Sequence, residues 1–233
     1  MMKNLGLLHC RLWKFYQSSV GKKWVVAITG IVMVLWLVGH MLGNLQIFAG
    51  PGSSPEETMI NQYAALLKQN IVLLWLVRIV MLKMVILHII TTIALTKQNK
   101  AARPVGYLKN TPTKASFASR TMIYGGVFLL FYIIYHLGHF TLGMVHSSLL
   151  DHHDLYGSMI RSFQQPLIVA LYLAAVFFLG LHLHHGIQST VKTLGLSHPF
   201  YLNFAKAGGI LLAFIVSIGF ASIPIAVILG CIS

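Results

Sequence analysis

Five long runs of apolar residues limit what this chain can fold into. They lie at about 24–48, 71–96, 121–145, 166–191 and 207–230. A helix crosses about 30 Å of hydrocarbon with about twenty residues, so each run is long enough to span a bilayer. Only 9% of the 233 residues are charged, against roughly a quarter in soluble domains. The sequence therefore predicts an all-α integral membrane bundle of five transmembrane helices in a single domain, residues 1–233.

The formal net charge of +13 is unevenly distributed among the segments outside these runs. Lys and Arg are concentrated in residues 1–23, 97–120 and 192–206. All four acids lie in the two remaining loops: Glu56, Glu57, Asp151 and Asp154. Because cytoplasmic loops are enriched in Lys and Arg, we predict a cytoplasmic N-terminus and an external C-terminus. The positive charge is thus explained by membrane topology, and we expect no nucleic-acid partner.

Residues 1–23 are expected to form a basic, partly amphipathic lead-in on the cytoplasmic side, among lipid headgroups or against a soluble partner. The first twenty residues lack a long apolar core that ends in small residues, so we expect the first run to be retained as an anchor. The two cysteines, Cys10 and Cys231, have no spacing typical of a metal site or a disulfide framework.

Histidines occur in four of the five runs. An ionisable side chain in hydrocarbon is costly without a partner and therefore marks a functional site. His40, His88, His136 and His182 each lie about fifteen to seventeen residues from the end at which the chain enters the membrane. Because successive spans run in opposite directions, His40 and His136 fall in the outer half of the bundle, and His88 and His182 in the inner half.

Two levels of two imidazoles predict two haems. Neutral imidazole is the commonest metal ligand in proteins, and two axial histidines leave an iron no open position, which favours electron transfer over oxygen binding. The rise per residue separates the levels by about 15 to 20 Å. Gly186 lies one turn after His182 on the same face, where the missing side chain lets a flat macrocycle approach the backbone. A single membrane histidine more often serves packing or proton relay, but four in two pairs favour haem.

Neighbouring residues leave the ligand choice open. His139 lies one turn beyond His136, and His185 one turn beyond His182, so each points the same general way. We prefer His136 because its depth matches that of His40, and His182 because of Gly186.

Arg78 is a cation at membrane depth in the second run, where it suits a haem propionate or a quinone carbonyl; snorkelling to the interface is the alternative. Five residues of the outer loop form a cluster in which a zinc site is a weaker alternative. They are His146, Asp151, His152, His153 and Asp154.

Each of the four histidine-bearing runs has its own short motifs in it or beside it. They are TG and GHMLGNL in the first, LW and LHI in the second, RTM, GG and YHL in the third, and HLHHGI and KTLG in the fourth. In combination they resemble the five-helix, dihaem cytochrome b subunit of succinate dehydrogenases and fumarate reductases. The resemblance covers nearly the whole chain, from about Gly21 to the last run.

The resemblance implies that His40 and His136 bind the haem b distal from the soluble subunits, and that His88 and His182 bind the proximal one. It implies flavoprotein and iron-sulfur subunits on the cytoplasmic side of the cell's inner membrane, and a quinone, menaquinone or ubiquinone, as substrate. The chain would conduct electrons and anchor those subunits, with no succinate-oxidising site of its own.

Some relatives carry a glutamate for proton transfer two residues before the fourth-run ligand. This position is Gly180 here, so such a proton route is not expected. Candidates for an outer quinone site are Asn44, Gln46 and Arg78. Two other functions remain open: the cytochrome b subunit of a hydrogenase or formate dehydrogenase, and a haem-free transporter or assembly anchor whose histidines relay protons or bind a transition metal.

Overall fold

A computed structural model describes residues 11, 13–102, 117–196 and 198–233 of the chain. Within these ranges the chain forms helices joined by turns, without strands, which confirms the all-α class. Five helices are long and apolar enough to cross a membrane, as predicted. Residues 1–10 and 12 of the basic lead-in, including Cys10, and most of the basic loop between the second and third spans lie outside the described residues. The side of the membrane on which each terminus lies stays a prediction.

Residues 13–17 are helical, and the helices from Ser19 onward are numbered α1 to α7 in chain order. Five of them are the membrane spans: α1 (Ser19–Asn44), α3 (Ile71–Ala101), α4 (Phe117–His136), α6 (Pro166–Thr193) and α7 (Pro199–Ile228). Two shorter helices, α2 (Met59–Gln69) and α5 (Leu155–Phe163), lie between spans. A 3₁₀ turn, Leu45–Ala49, continues α1, and a π-helical turn, Leu137–Thr141, continues α4.

Local sequence signals explain where most helices begin. The Ser18 hydroxyl accepts from the backbone N–H of Gly21 at 2.9 Å and caps α1. The Asn70 side chain accepts from the N–H of Leu73 at 3.0 Å and starts α3 after a single intervening residue. Pro166 and Pro199 occupy first helical positions, where a missing N–H costs nothing.

Several limits of the spans differ from those expected, since the first span begins at Ser19 rather than near 24 and the second ends at Ala101 rather than near 96. The last span begins at Pro199 rather than near 207, so its first turns include Lys206. The third span ends at Thr141 rather than near 145, because Gly143 turns the backbone at φ 63°. Apolar runs mark the part of a helix that lies in hydrocarbon, whereas caps and glycines decide where the helix itself begins and ends.

The helices α2 and α5 form a folded layer over one end of the bundle, here named the capped end. Their side chains bury a cluster against the 3₁₀ turn and the neighbouring ends of α6 and α7. The cluster consists of Ile47, Ile60, Tyr156, Met159, Ile160, Phe163, Ile168, Val169, Tyr172, Ile223 and Val227. The helix α5 was not predicted, because nine residues of mixed polarity give too weak a periodic signal.

The spans pack in a definite order. α1 packs on α3, α6 and α7, and α6 packs in addition on α4 and, most extensively, on α7. Close approach of α6 and α7 depends on glycine, since a Cβ on Gly209 would lie 3.3 Å from Ile187 and one on Gly180 would lie 2.7 Å from the Ser217 hydroxyl. Many large apolar side chains face outward, such as Leu167 with 86% of its surface exposed, as expected of helices that contact lipid.

Candidate functional site

Four histidines meet in two pairs, each of which joins helices that are not close-packed neighbours. The ring centroids of His40 on α1 and His136 on α4 lie 6.0 Å apart. Those of His88 on α3 and His182 on α6 lie 6.2 Å apart. We name His40 and His136 the capped-end pair, and His88 and His182 the open-end pair. The pairs are those that the histidine positions predict, while their role as metal ligands stays a prediction.

The separation within each pair is longer than that of hydrogen-bonded imidazoles. Such rings have an N···N distance of about 2.9 Å and hence centroids about 5 Å apart. Two imidazoles on opposite sides of one metal, with bonds of about 2.0–2.1 Å, have centroids about 6.3 Å apart. In the described part of the chain no hydrogen bond joins the rings of either pair. The spacing therefore leaves room for a single metal atom between the two rings of a pair.

The two pairs lie at different depths in the bundle. A Cβ on Gly30 of α1 would lie 3.8 Å from Cε1 of His88, and one on Gly126 of α4 would lie 3.9 Å from Cε1 of His182. The open-end pair is thus level with these two glycines. Ten residues separate Gly30 from His40, and ten separate Gly126 from His136, which corresponds to about 15 Å of helix. Both helices give the same separation, at the lower end of the expected range.

Hydrogen bonding determines which nitrogen of His88 carries the proton. The Thr29 hydroxyl donates its one proton to the carbonyl of Val25 at 2.7 Å or of Val26 at 3.1 Å. Its oxygen therefore accepts from Nδ1–H of His88 at 3.0 Å. The free lone pair of His88 lies on Nε2. Metal-binding histidines commonly donate their other ring N–H in this way.

His182 has a nitrogen that lacks a partner. Its Nδ1 is fully buried and makes no hydrogen bond among the described residues. A buried polar atom left in this state costs about 1–3 kcal/mol. A partner from outside the chain would remove that cost, and an imidazole nitrogen is suited to a metal, a porphyrin substituent or a water.

His40 differs in its surroundings. Its ring stacks on Trp36, with centroids 4.8 Å apart and planes 10° apart. The Asn44 amide donates to Nε2 of His40 over a long 3.4 Å. This weak bond uses the lone pair that a metal would take, so ligation through Nε2 requires Asn44 to turn away.

His136 and His139 both reach the hydroxyl of Tyr172, as expected of residues that point the same general way. Nδ1 of His136 lies 3.3 Å from this oxygen, and Nδ1 of His139 lies 3.1 Å from it. Nε2 of His139 lies 3.2 Å from the Ser162 hydroxyl. His139 therefore has both nitrogens engaged, whereas Nε2 of His136 has no hydrogen-bond partner among the described residues. This difference favours His136 as the ligand of the capped-end pair.

The other predicted residues lie apart from the pairs or beside open space. Arg78 is exposed on α3, with its guanidinium 5.2 Å from the Trp75 ring, which favours snorkelling. A Cβ on Gly186 would meet nothing within 4 Å among the described residues, so the backbone there borders open space, while its role beside a macrocycle stays a prediction. His184 contacts the Gln188 amide at 2.8 Å, and His185 is partly buried.

Of the outer-loop residues, Asp154 hydrogen-bonds within the layer at the capped end. Asp154 accepts from the N–H of Gly157 at 2.9 Å, where it caps α5, and from the Asn61 amide at 3.1 Å. Among the described residues no three His, Cys, Asp or Glu side chains are grouped as metal ligands, which gives no support to the zinc alternative. A haem needs only two protein ligands, so this finding does not bear on the histidine pairs.

The hydroxyls that contact the histidines were not predicted; they belong to Thr29, Ser162 and Tyr172. Each is buried. Thr29 and Tyr172 lie inside apolar runs, and a polar hydroxyl within such a run was the only signal available.

Compared with family models, with curated proteins and with solved structures, the chain has no match. Its function must therefore be inferred from the residues of the two pairs and from the motifs around them.

Proposed function

We propose that this chain is the membrane cytochrome b subunit of a succinate:quinone oxidoreductase. It carries electrons through two bis-histidine b haems between an iron-sulfur subunit and membrane quinone, and it anchors the soluble subunits. The observation that carries the proposal is the presence of two cross-bundle histidine pairs, in each of which the ring centroids lie near 6 Å apart. The levels of the two pairs are separated by ten residues along both α1 and α4.

The residues present suit this cofactor. His88 is held by Thr29 with its Nε2 lone pair free, and His136 is held by Tyr172 in the corresponding way. His182 has a buried nitrogen that needs a partner. The helices of each pair are held apart rather than packed, as a macrocycle between them requires. The two histidines of each pair would hold the iron of one such group, and the bound group would supply reversible one-electron chemistry.

The polypeptide supplies position, insulation and ligand orientation. All four acidic residues lie in loops rather than in spans, so no carboxylate is available inside the bundle to move protons with the electrons. At Gly180 even a Cβ would lie 2.7 Å from the Ser217 hydroxyl, so a larger residue there would require Ser217 to shift. The histidine pairs favour electron conduction across the membrane. Because the spans contain no acid, this conduction would have no carboxylate-based proton route beside it.

The choice of succinate dehydrogenase or fumarate reductase depends on the motif resemblance. From it come the cytoplasmic flavoprotein and iron-sulfur partners, the inner-membrane location, the quinone and the assignment of the capped end to the outer side. With that assignment, the open-end pair lies nearer the iron-sulfur subunit and the capped-end pair lies farther from it. Asn44, beside His40, remains a candidate for the quinone site.

The decisive measurement is a reduced-minus-oxidised visible spectrum of the purified protein with haem quantitation. We expect about two b-type haems per chain. A colourless protein would remove the proposal and favour the transporter or assembly anchor. Purification of the complex through a tag on this chain identifies the partners. A flavoprotein and an iron-sulfur protein with succinate dehydrogenase activity are expected, and a hydrogenase or formate dehydrogenase would overturn the assignment to succinate.

A further inference from the structure

A line of hydrogen bonds runs from His136 towards the layer at the capped end. It passes from Nδ1 of His136 to the Tyr172 hydroxyl, from there to Nδ1 of His139, and from Nε2 of His139 to the Ser162 hydroxyl. These contacts join α4, α6 and α5. Tyr172, His139 and Ser162 are all buried.

Proton counting gives this line one direction if His136 binds a metal through Nε2. Its Nδ1 must then carry a proton and donate to the Tyr172 oxygen. Tyr172 has a single hydroxyl proton, which it donates to Nδ1 of His139. The proton of neutral His139 must then be on Nε2, where it is donated to Ser162. Each hydrogen bond along the line therefore has a fixed donor and a fixed acceptor.

The surroundings strengthen this arrangement. The Tyr172 ring packs among the rings of Tyr132, Tyr135, Phe140 and Phe163, at centroid distances of 5.1 to 6.1 Å. These groups are apolar or neutral, and every acid of the chain lies in a loop. Hydrogen bonds are stronger in such surroundings than in water, and neighbouring bonds polarise one another.

We propose that Tyr172 is a positioning residue that fixes the tautomer and orientation of His136 and lowers the reduction potential of the capped-end haem. An imidazole whose Nδ1–H is hydrogen-bonded is a more basic ligand, and a more basic ligand stabilises the oxidised iron. Nδ1 of His40, the other histidine of this pair, has no such hydrogen-bond partner among the described residues. The inference rests on the proposed function and assigns to one hydroxyl a role in the direction of electron flow.

The test is a redox titration of the purified complex, followed in the visible b-haem bands, with Tyr172→Phe. We expect both haems to be retained and one of the two midpoint potentials to become more positive. Tyr132→Phe is the matched control, because this ring stacks on His136 at 5.8 Å without a hydrogen bond to it among the described residues. It should leave both potentials unchanged.

Unchanged potentials in a Tyr172→Phe complex that retains both haems would overturn the inference and leave the proposed function standing. If Tyr172→Phe loses a haem, Ser162→Ala decides, because it keeps Tyr172 and removes only the group that accepts from His139. A smaller positive shift of one potential supports the inference, and no shift overturns it. A wild-type complex without haem would instead remove the proposed function itself.

Discussion

At the scale of single residues, the histidines of this bundle differ in how many of their nitrogens are engaged. His139 is the most deeply buried of them, with 0% of its surface exposed, and both of its nitrogens contact hydroxyls. His136, one turn earlier, has one engaged nitrogen and faces His40. Burial alone would therefore select His139 as the ligand, whereas the count of free nitrogens selects His136.

This difference predicts the result of two matched substitutions. His136→Gln should lower the haem content from about two to about one per chain, because the capped-end pair loses a ligand. His139→Gln should retain about two, because glutamine can still hydrogen-bond to Tyr172 and Ser162. Haem quantitation on both purified variants checks this. The reverse pattern would make His139 the ligand.

The open-end pair allows a second prediction at this scale. His88→Leu and His182→Leu should each remove the same haem and leave the other with its spectrum unchanged, since the two pairs lie about 15 Å apart along the helices. Low-temperature difference spectra of the two variants should therefore be alike. Retention of both haems in both variants would show that these two histidines do not share an iron.

At the scale of the helices, the positions of the glycines determine which helix surfaces lie close to the histidine pairs. Gly126 of α4 faces His182, whereas a Cβ on Gly208 of α7 would meet nothing within 4 Å. We predict that Gly126→Leu removes the haem of the open-end pair, because the new side chain occupies the space beside that ring. Gly208→Leu should leave both haems in place and serves as the matched control. Equal haem contents in the two variants would contradict the prediction.

The layer formed by α2 and α5 depends on one buried amide. Asn61 donates to the Pro55 carbonyl at 2.8 Å and to Asp154 at 3.1 Å, and it accepts from the N–H of Tyr156 at 3.0 Å. Asn61→Ala should therefore destabilise the protein by roughly 1–3 kcal/mol, since buried partners are left unsatisfied. Thermal unfolding in detergent measures this.

The neighbouring Gln62 is exposed, and Gln62→Ala is the control for that substitution, with little expected effect. A midpoint temperature for Asn61→Ala no lower than that of the control would mean that the layer does not depend on this amide.

At the scale of the whole molecule, charge distribution predicts orientation. With five spans, a cytoplasmic N-terminus places the C-terminus outside. Cys231 is exposed near the C-terminus and is a natural reporter of this orientation. A membrane-impermeant maleimide should modify Cys231 in sealed right-side-out vesicles of a Cys10→Ser variant.

The Cys231→Ser variant, which keeps Cys10, should be modified only in inverted vesicles. Modification of Cys231 from the inverted side alone would reverse the topology. The capped end would then face the cytoplasm, and the distance of each pair from the proposed iron-sulfur partner would be exchanged.

The sequence by itself determined the class of fold and the approximate depth of each histidine. Both follow from length along the chain, because a helix advances by a fixed rise per residue and hydrocarbon requires a fixed number of apolar residues. The spans and the pairs His40–His136 and His88–His182 were therefore predictable.

Only the tertiary structure decided which groups surround these histidines. Tyr172 is 36 residues from His136, and Thr29 is 59 residues from His88. Such contacts depend on the rotation of each helix about its axis and on its packing partner, which apolar runs do not specify. The choice between neighbouring histidines belongs to the same level, since a nitrogen is free for a metal only where packing leaves it without a hydrogen-bond partner.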